Sequence, residues 1–343
     1  MVDFSTRCRC GVDVHAHVVP ENFPKYLRAP IPADWPSMAQ AQPCHRHVMI
    51  SGKIYRTVSD RAWNTARRVA DMDEMGLRLQ AVSPMPELLS YWMDAASADD
   101  LLRYVNDQIA EMMAASGGRL AGLGAVPLQD MDLALTELER LMAMGFSGVQ
   151  LGSNINGRPI GAPEFVPFFA ACERLGAAVF VHALRPTGMD RLVGPPPLQQ
   201  VLAYPTDVGL AAASAITSNL IVTHPRLRIA FSHGGGTLGL LLPRLAESVS
   251  VFPALAERLL APPVEQARKL FFDALVFDEP ALRYLTSLFG DTQIMLGTDY
   301  PFNFHDHTPV DRILAVFEDP AIRQRLLCDN ALTFLGRPSG EPA

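Results

Sequence analysis

The sequence of 343 residues has little lysine, no excess of positive charge and no long uninterrupted apolar run. Lysine occurs only at positions 25, 53 and 269, and the formal net charge is -7 at pH 7. A chain of this composition indicates no positively charged surface patch, which argues against nucleic acid and anionic membrane surfaces as partners. We therefore expect a small-molecule ligand.

Signals for export, membrane insertion and disulfide bonding are also missing. Residues 1–11 contain no apolar core of a signal peptide, and the most apolar internal stretch, 210–222, is interrupted by serine, threonine and asparagine. The five cysteines lie at irregular positions, and only one residue separates Cys8 from Cys10, where a redox or zinc pair has two. Reduced thiols in the cytoplasm fit this pattern best.

The sequence does contain a repeating pattern of short apolar runs, each followed by a longer stretch with helical periodicity. Eight runs predict strands, at 12–17, 79–83, 120–127, 148–152, 178–182, 228–233, 270–275 and 293–299. Segments such as 62–75, 98–115, 133–144, 163–175, 206–220, 238–251 and 280–289 predict helices. Eight predicted strands with helices between them favour a closed α/β barrel, a (β/α)8 TIM barrel of one domain over residues 1–343, over a doubly wound sheet.

One insertion interrupts the pattern after the first predicted strand. Residues 18–56 carry six prolines and little periodicity, and the preceding strand directs them toward the mouth of the barrel. Simple connections are much shorter, and long loops in compact domains commonly act as lids or binding loops. We expect an irregular lid over the site.

The first predicted strand carries polar residues on one face. Side chains alternate across a strand, so Asp13, His15 and His17 point together into the barrel. Two imidazoles spaced by two residues at a strand end can grip one metal ion. The spacing alone leaves open a pair of surface histidines that follow a strand.

Other predicted strands also end in polar residues, namely His182, His233 and Asp299. A barrel brings the C-terminal ends of its strands into one bowl. His15, His17, His182 and Asp299 then supply three nitrogens and one oxygen, which suits Zn2+, and Mn2+ as an alternative. His233 begins a His-Gly-Gly-Gly run and is either a further ligand or a base. The same run forms an oxyanion hole in α/β-hydrolases, but the nucleophile elbow G-x-S-x-G is missing.

On these residues the chain resembles the amidohydrolase-related decarboxylases of the amidohydrolase superfamily, the group that includes the aminocarboxymuconate semialdehyde decarboxylases. The marks of the resemblance are Asp13-x-His15-x-His17, Met72-Asp73, Val126-Pro127-Leu128-Gln129-Asp130, His233-Gly234-Gly235-Gly236 and Met295-Leu296-Gly297-Thr298-Asp299-Tyr300-Pro301-Phe302. They cover nearly the whole chain.

The resemblance implies a single zinc bound by the four ligands named above, with Asp299 also taking part in catalysis. It further implies that His233 is the catalytic acid/base and that Arg56 binds substrate. Arg244 matches an arginine that reaches the site of the neighbouring subunit, which implies a homodimer. Guanidinium groups hold carboxylates through two hydrogen bonds, so this pair suits an acidic substrate.

The chain departs from relatives of the superfamily at two strand ends. The fourth strand, 148–152, lacks the lysine that bridges two metals in many relatives, which indicates a mononuclear site. His182 is followed by Ala183-Leu184-Arg185, where the aminocarboxymuconate enzymes carry Pro-Trp-Asp, so Arg185 becomes a candidate for binding another carboxylate or a phenolate.

We therefore expect a metal-dependent, non-oxidative decarboxylase of a small conjugated or aromatic carboxylic acid. Two alternatives stay open at this point: a mononuclear metal hydrolase of a lactone or amide, and a ligand-binding barrel without activity. The sequence also leaves open the exact acid, the native metal, and whether hydroxide adds to the substrate or a proton is transferred first.

Overall fold

The computed structural model describes residues 11–338, so Cys8, Cys10 and the other expectations for the N-terminal residues lie outside it. Eight strands form one parallel sheet in which neighbours in the chain are neighbours in the sheet. They are Gly11–Val18, Leu77–Pro84, Leu120–Gly124, Gly148–Gly152, Ala178–His182, Arg228–Phe231, Phe271–Asp273 and Ile294–Met295.

The last strand returns to the first and nearly closes the sheet. The backbone N–H of Val14 donates to the carbonyl of Leu296 at 3.0 Å, and that of His17 donates to Tyr300 at 2.7 Å. The predicted (β/α)8 barrel is confirmed. The last predicted strand, 293–299, is too long, because the chain leaves the sheet after Met295 to build the loop that carries the site.

Helices cover the outside of the barrel. The α-helices in the described range are Thr65–Glu74, Ala95–Ala115, Met131–Ala143, Val166–Leu175, Tyr204–Thr217, Leu220–Thr223, Leu238–Val251, Pro253–Arg258, Pro263–Ala267, Glu279–Phe289, Pro309–Val316, Pro320–Gln324 and Asn330–Leu335. The helix Met131–Ala143 shows why they form: the Asp130 side chain caps its first turn, and its buried face, which includes Leu138 and Leu141, packs into the core.

The lid is more regular than the sequence analysis predicted. In place of an irregular loop, it contains a three-stranded antiparallel sheet of Ser37–Gln42, His45–Ile50 and Lys53–Ser59. Ser51 and Gly52 connect the last two strands, both with positive φ, at 52° and 71°. This is the backbone of a type I′ turn, which suits the twist of a two-residue hairpin.

The lid is attached to the barrel by a small apolar cluster of its own. Val48 and Val58 of the lid are buried in this cluster with Met85, Leu88 and Phe302 from loops at the barrel mouth. The lid therefore lies over the C-terminal ends of the strands, as expected.

Within residues 11–338 no helix is both long enough and apolar enough to cross a bilayer. The cysteines of that range form no disulfide.

Candidate metal centre

The four predicted metal ligands converge at the mouth of the barrel. His15 and His17 stand near the end of the first strand, His182 ends the fifth, and Asp299 lies in the loop after the eighth. One ligand atom from each lies within 4.8 Å of all the others. The Nε2 atoms of His15 and His17 are 3.2 Å apart, and Nε2 of His17 is 3.1 Å from Oδ1 of Asp299.

Burial keeps the three imidazoles neutral. It lowers the pKa of His15 and of His17 to about 3 and moves the pKa of His182 in the same direction. A neutral imidazole has a lone pair on one ring nitrogen and a proton on the other. This is the form that binds a metal ion.

Hydrogen bonds set the tautomer of each ring. Nδ1 of His15 donates to Asp273 at 2.7 Å, Nδ1 of His17 donates to the carbonyl of Pro84 at 3.2 Å, and Nδ1 of His182 donates to its neighbour's carbonyl at 2.8 Å. With Nδ1 protonated in all three, every Nε2 lone pair faces the cluster. Such outer partners orient metal ligands and raise their basicity.

Two ligand atoms lack a hydrogen-bond partner within the described residues. Nε2 of His182 and Oδ1 of Asp299 are buried and accept no hydrogen bond. An unsatisfied buried polar atom costs about 1–3 kcal/mol. A divalent cation between the four residues would remove this cost, so the donor set fits a metal ion.

Sequence reasoning missed Asp273, which ends the seventh strand and is fully buried. Besides His15, its carboxylate accepts hydrogen bonds from the backbone N–H groups of His233 at 2.9 Å, Gly234 at 2.8 Å and Leu275 at 3.1 Å. The available signal was a lone carboxylate at the end of the predicted strand 270–275, on the same rim as the ligands.

His233 lies beside the cluster and outside the group of four ligand atoms. Its ring centroid is 5.1 Å from that of His182 and 5.3 Å from that of His15. Its φ of 55° falls in the left-handed region, and the Asp273 hydrogen bond holds this backbone in place. Burial lowers the pKa of His233 to about 3, so its imidazole is neutral near pH 7.

A cavity of about 280 Å³ opens beside the cluster and is lined by His182, Asp299 and His233. Its walls are largely apolar and aromatic, and they include Met85, Pro86, Tyr204, Leu275, Val276, Phe277, Phe302 and Phe304. Arg56 enters from the lid, with its guanidinium carbon 4.0 Å from the centroid of the Phe302 ring. Within residues 11–338 no carboxylate lies at ion-pair distance from Arg56.

The other two predicted arginines lie elsewhere. Arg185 lines an adjoining cavity of about 670 Å³ and forms an ion pair with Glu87 at 2.9 Å. Arg244 is exposed on the helix Leu238–Val251 and does not line the cavity of its own chain. The structure thus brings Arg56 to the metal centre, and sequence reasoning missed Glu87.

Comparisons with known proteins agree with this geometry. The sequence pattern of the family described as amidohydrolase matches residues 12–337. The 2-amino-3-carboxymuconate-6-semialdehyde decarboxylase of Dictyostelium discoideum is 33% identical over 95% of this chain and 91% of its own. The structure of 5-carboxyvanillate decarboxylase from Sphingomonas paucimobilis is 26% identical, with a TM-score of 0.72 over 80% of this chain and 84% of its own.

The fold is also similar to that of a dihydroxybenzoic acid decarboxylase from Polaromonas sp. JS666, solved with bound manganese and the inhibitor 2-nitroresorcinol. That structure is 23% identical, with a TM-score of 0.71 over 79% of this chain and 85% of its own.

Proposed function

The chain belongs to the amidohydrolase family and is a metal-dependent carboxy-lyase of that family, and on this premise we propose that it decarboxylates a small conjugated or aromatic acid. The observation that carries the proposal is the placement of Arg56. Among the described residues this guanidinium group has no carboxylate partner, and it shares a largely apolar cavity with Asp299 and His182 of the four-ligand cluster.

His15, His17, His182 and Asp299 would hold one divalent ion. We propose Zn2+, because three imidazoles and one carboxylate are a common zinc donor set, with Mn2+ as the alternative that the Polaromonas enzyme binds. When bound, the ion supplies Lewis acidity that polarises an oxygen of the substrate.

Arg56 binds the acid. Its guanidinium forms charge-assisted hydrogen bonds to a carboxylate or phenolate. The Phe302 ring contacts one face of the guanidinium group and holds it in place. The apolar walls around it exclude water from the substrate. A carboxylate that has lost its hydration gains from leaving as neutral CO2, so the same walls favour cleavage of the carbon–carbon bond.

His233 handles the proton. When the bond to the carboxylate breaks, its electron pair stays on the substrate carbon, and that carbon must take up a proton. The His233 imidazole lies at the cavity wall beside the ligands, from where it can pass a proton from a water molecule or a substrate hydroxyl group to that carbon. Asp299 contributes to catalysis as a ligand of the ion and through the negative charge of its carboxylate beside the ion.

A homodimer in the cytoplasm is part of the same proposal. Arg244 lies on an exposed helix surface and does not line the cavity of its own chain, which is compatible with binding substrate in the neighbouring subunit. The thiols of Cys44 and Cys172 are compatible with a reducing compartment.

The test is a panel of hydroxybenzoates and carboxymuconate-type acids incubated with the metal-loaded protein, with CO2 release and ultraviolet absorbance recorded. The proposal expects stoichiometric CO2 from at least one acid. Hydrolysis of lactones or amides without CO2 from any acid would favour the metal hydrolase instead.

A further inference from the structure

One ion pair beside the active-site cavity has no part in the chemistry above. Arg185 donates to Oε1 of Glu87 from Nη2 at 2.9 Å and from Nε at 3.3 Å. Glu87 belongs to the short 3-10 helix Pro86–Leu89, whose first residue lines the active-site cavity, whereas Arg185 lines the adjoining one. The pair therefore stands at the boundary between the two cavities.

Glu87 needs a cationic partner because little of it meets water. Its side chain is 12% exposed. Burial raises the pKa of Glu87, and the charges of Arg185 and Arg56 lower it. An unpaired buried carboxylate is strongly destabilising. Arg56 lines the same cavity as Pro86, the residue before Glu87, but only the Arg185 guanidinium forms hydrogen bonds with Glu87.

Arg185 is held in this position from its other side. Its guanidinium carbon lies 3.1 Å from the centroid of the Trp92 ring, in a cation–π stack. Its backbone also has a φ of 41°, in the left-handed region. A side chain committed to both Trp92 and Glu87 is a fixed partner for Glu87 and is poorly placed to bind a substrate at the metal centre.

We propose that Arg185 is a positioning residue, which holds the Glu87 carboxylate so that Arg56 stays available to bind the carboxylate of the substrate. This inference rests on the proposed function of the same site. Without Arg185, the remaining cation that acts on Glu87 is Arg56, and a Glu87–Arg56 pair would compete with the substrate for the same guanidinium. The sequence-based expectation that Arg185 contacts the substrate itself predicts a different outcome.

A double-mutant cycle separates the two roles. Binding of 2,6-dihydroxybenzoate to the Mn2+-loaded protein is measured by calorimetry for the wild type, R185Q, E87Q and E87Q/R185Q. R185Q should weaken binding about 10-fold, the usual effect of losing one charge-assisted hydrogen bond. E87Q should bind as the wild type does, and the double variant should recover most of the loss, because its neutral amide no longer competes for Arg56.

A double variant as weak as R185Q would overturn the proposal, since Arg185 would then contact the ligand directly. R185K is a second arm: it retains the charge beside Glu87 and should bind within about threefold of the wild type. If R185K binds the ligand as weakly as R185Q does, the proposed positioning role of Arg185 is also contradicted. The matched control is R174Q, because Arg174 pairs with Glu139 at 3.0 Å on the exposed surface.

Folding of each variant is checked by its melting temperature. The double-mutant cycle measures binding, so it does not depend on decarboxylation. A wild type that binds the probe but releases no CO2 from any acid would refute decarboxylation. The binding cycle could still be interpreted in that case. A wild type that does not bind this carboxylate at all would refute the role given to Arg56, and the inference with it.

Discussion

Asp273 connects His15 of the metal centre with the backbone of His233. Its Oδ2 atom accepts hydrogen bonds from Nδ1 of His15 at 2.7 Å and from the backbone N–H of His233 at 2.9 Å. One carboxylate thus sets both the direction in which His15 offers its lone pair and the turn that carries the proposed acid/base. A change at Asp273 should therefore affect metal affinity and catalysis together.

Replacing Asp273 with asparagine should weaken metal binding about 10- to 100-fold, the usual effect of losing an outer partner of a metal-binding histidine. The amide nitrogen cannot accept the hydrogen bonds that the carboxylate accepts. Competition with a chromophoric chelator gives the affinity. D278N is the control, because Asp278 caps a nearby helix and asparagine caps equally well. Unchanged metal affinity in D273N would show that Asp273 does not orient His15.

Replacing His233 with asparagine should abolish most of the turnover, by about 100- to 10,000-fold, while leaving one ion per chain. The reason is that its imidazole lies beside the four ligand atoms and is not one of them. CO2 release and metal content are measured on the same sample. Loss of the ion from H233N would instead make His233 a ligand.

Replacing Arg56 with glutamine should raise KM about 10- to 100-fold, since the substrate loses a charge-assisted contact that no other described side chain now occupies. Steady-state kinetics measure the change. R46Q in the neighbouring lid strand is the matched control, because Arg46 pairs with Glu21 at 2.7 Å. If R56Q and R46Q have the same KM, Arg56 does not bind the acid.

The metal-free protein should lose stability in acid through its buried histidines. The pKa of His17 falls from 6.5 to about 3 on folding, because burial disfavours the charged ring. Between these two pH values the unfolded chain binds more protons, so the free energy of unfolding decreases as the pH falls from 6.5 toward 3. One such group contributes a slope of up to about 1.4 kcal/mol per pH unit.

H17Q removes that contribution, so its stability should vary less with pH than that of the wild type over this interval. Urea unfolding in the presence of a chelator, repeated at several pH values, gives both curves. H45Q, in the lid and outside the cluster, is the control and should follow the wild type. Parallel curves for H17Q and the wild type would mean that folding does not lower the pKa of His17.

The barrel and the clustering of the four candidate ligands could be predicted because they depend on local patterns. Apolar runs that alternate with helical segments define the strands. A barrel brings the C-terminal ends of its strands together at one rim, so polar residues at those ends lie close to one another. The two histidines of the first strand could be interpreted as metal ligands only together with His182 and Asp299. In the structure one ligand atom from each of the four residues lies within 4.8 Å of the others.

The lid sheet and the outer residues could not be predicted in this way. Prolines dominate the first half of residues 18–56, and only Val48 and Val58 of its three strands are buried, so alternation is weak. The Ser51-Gly52 turn was the readable signal. Glu87 and Asp273 are single carboxylates whose partners lie far away in the chain, and only the fold shows what they contact.

The central claim is that one divalent ion, bound by His15, His17, His182 and Asp299, is required for CO2 release. The direct test is to strip the protein with a chelator and titrate it with Mn2+ or Zn2+ while recording both bound metal and CO2 release. Activity should be absent at first, rise in proportion to bound metal and level off at one ion per chain. Undiminished CO2 release by the stripped protein, or saturation only at two ions, would contradict the account.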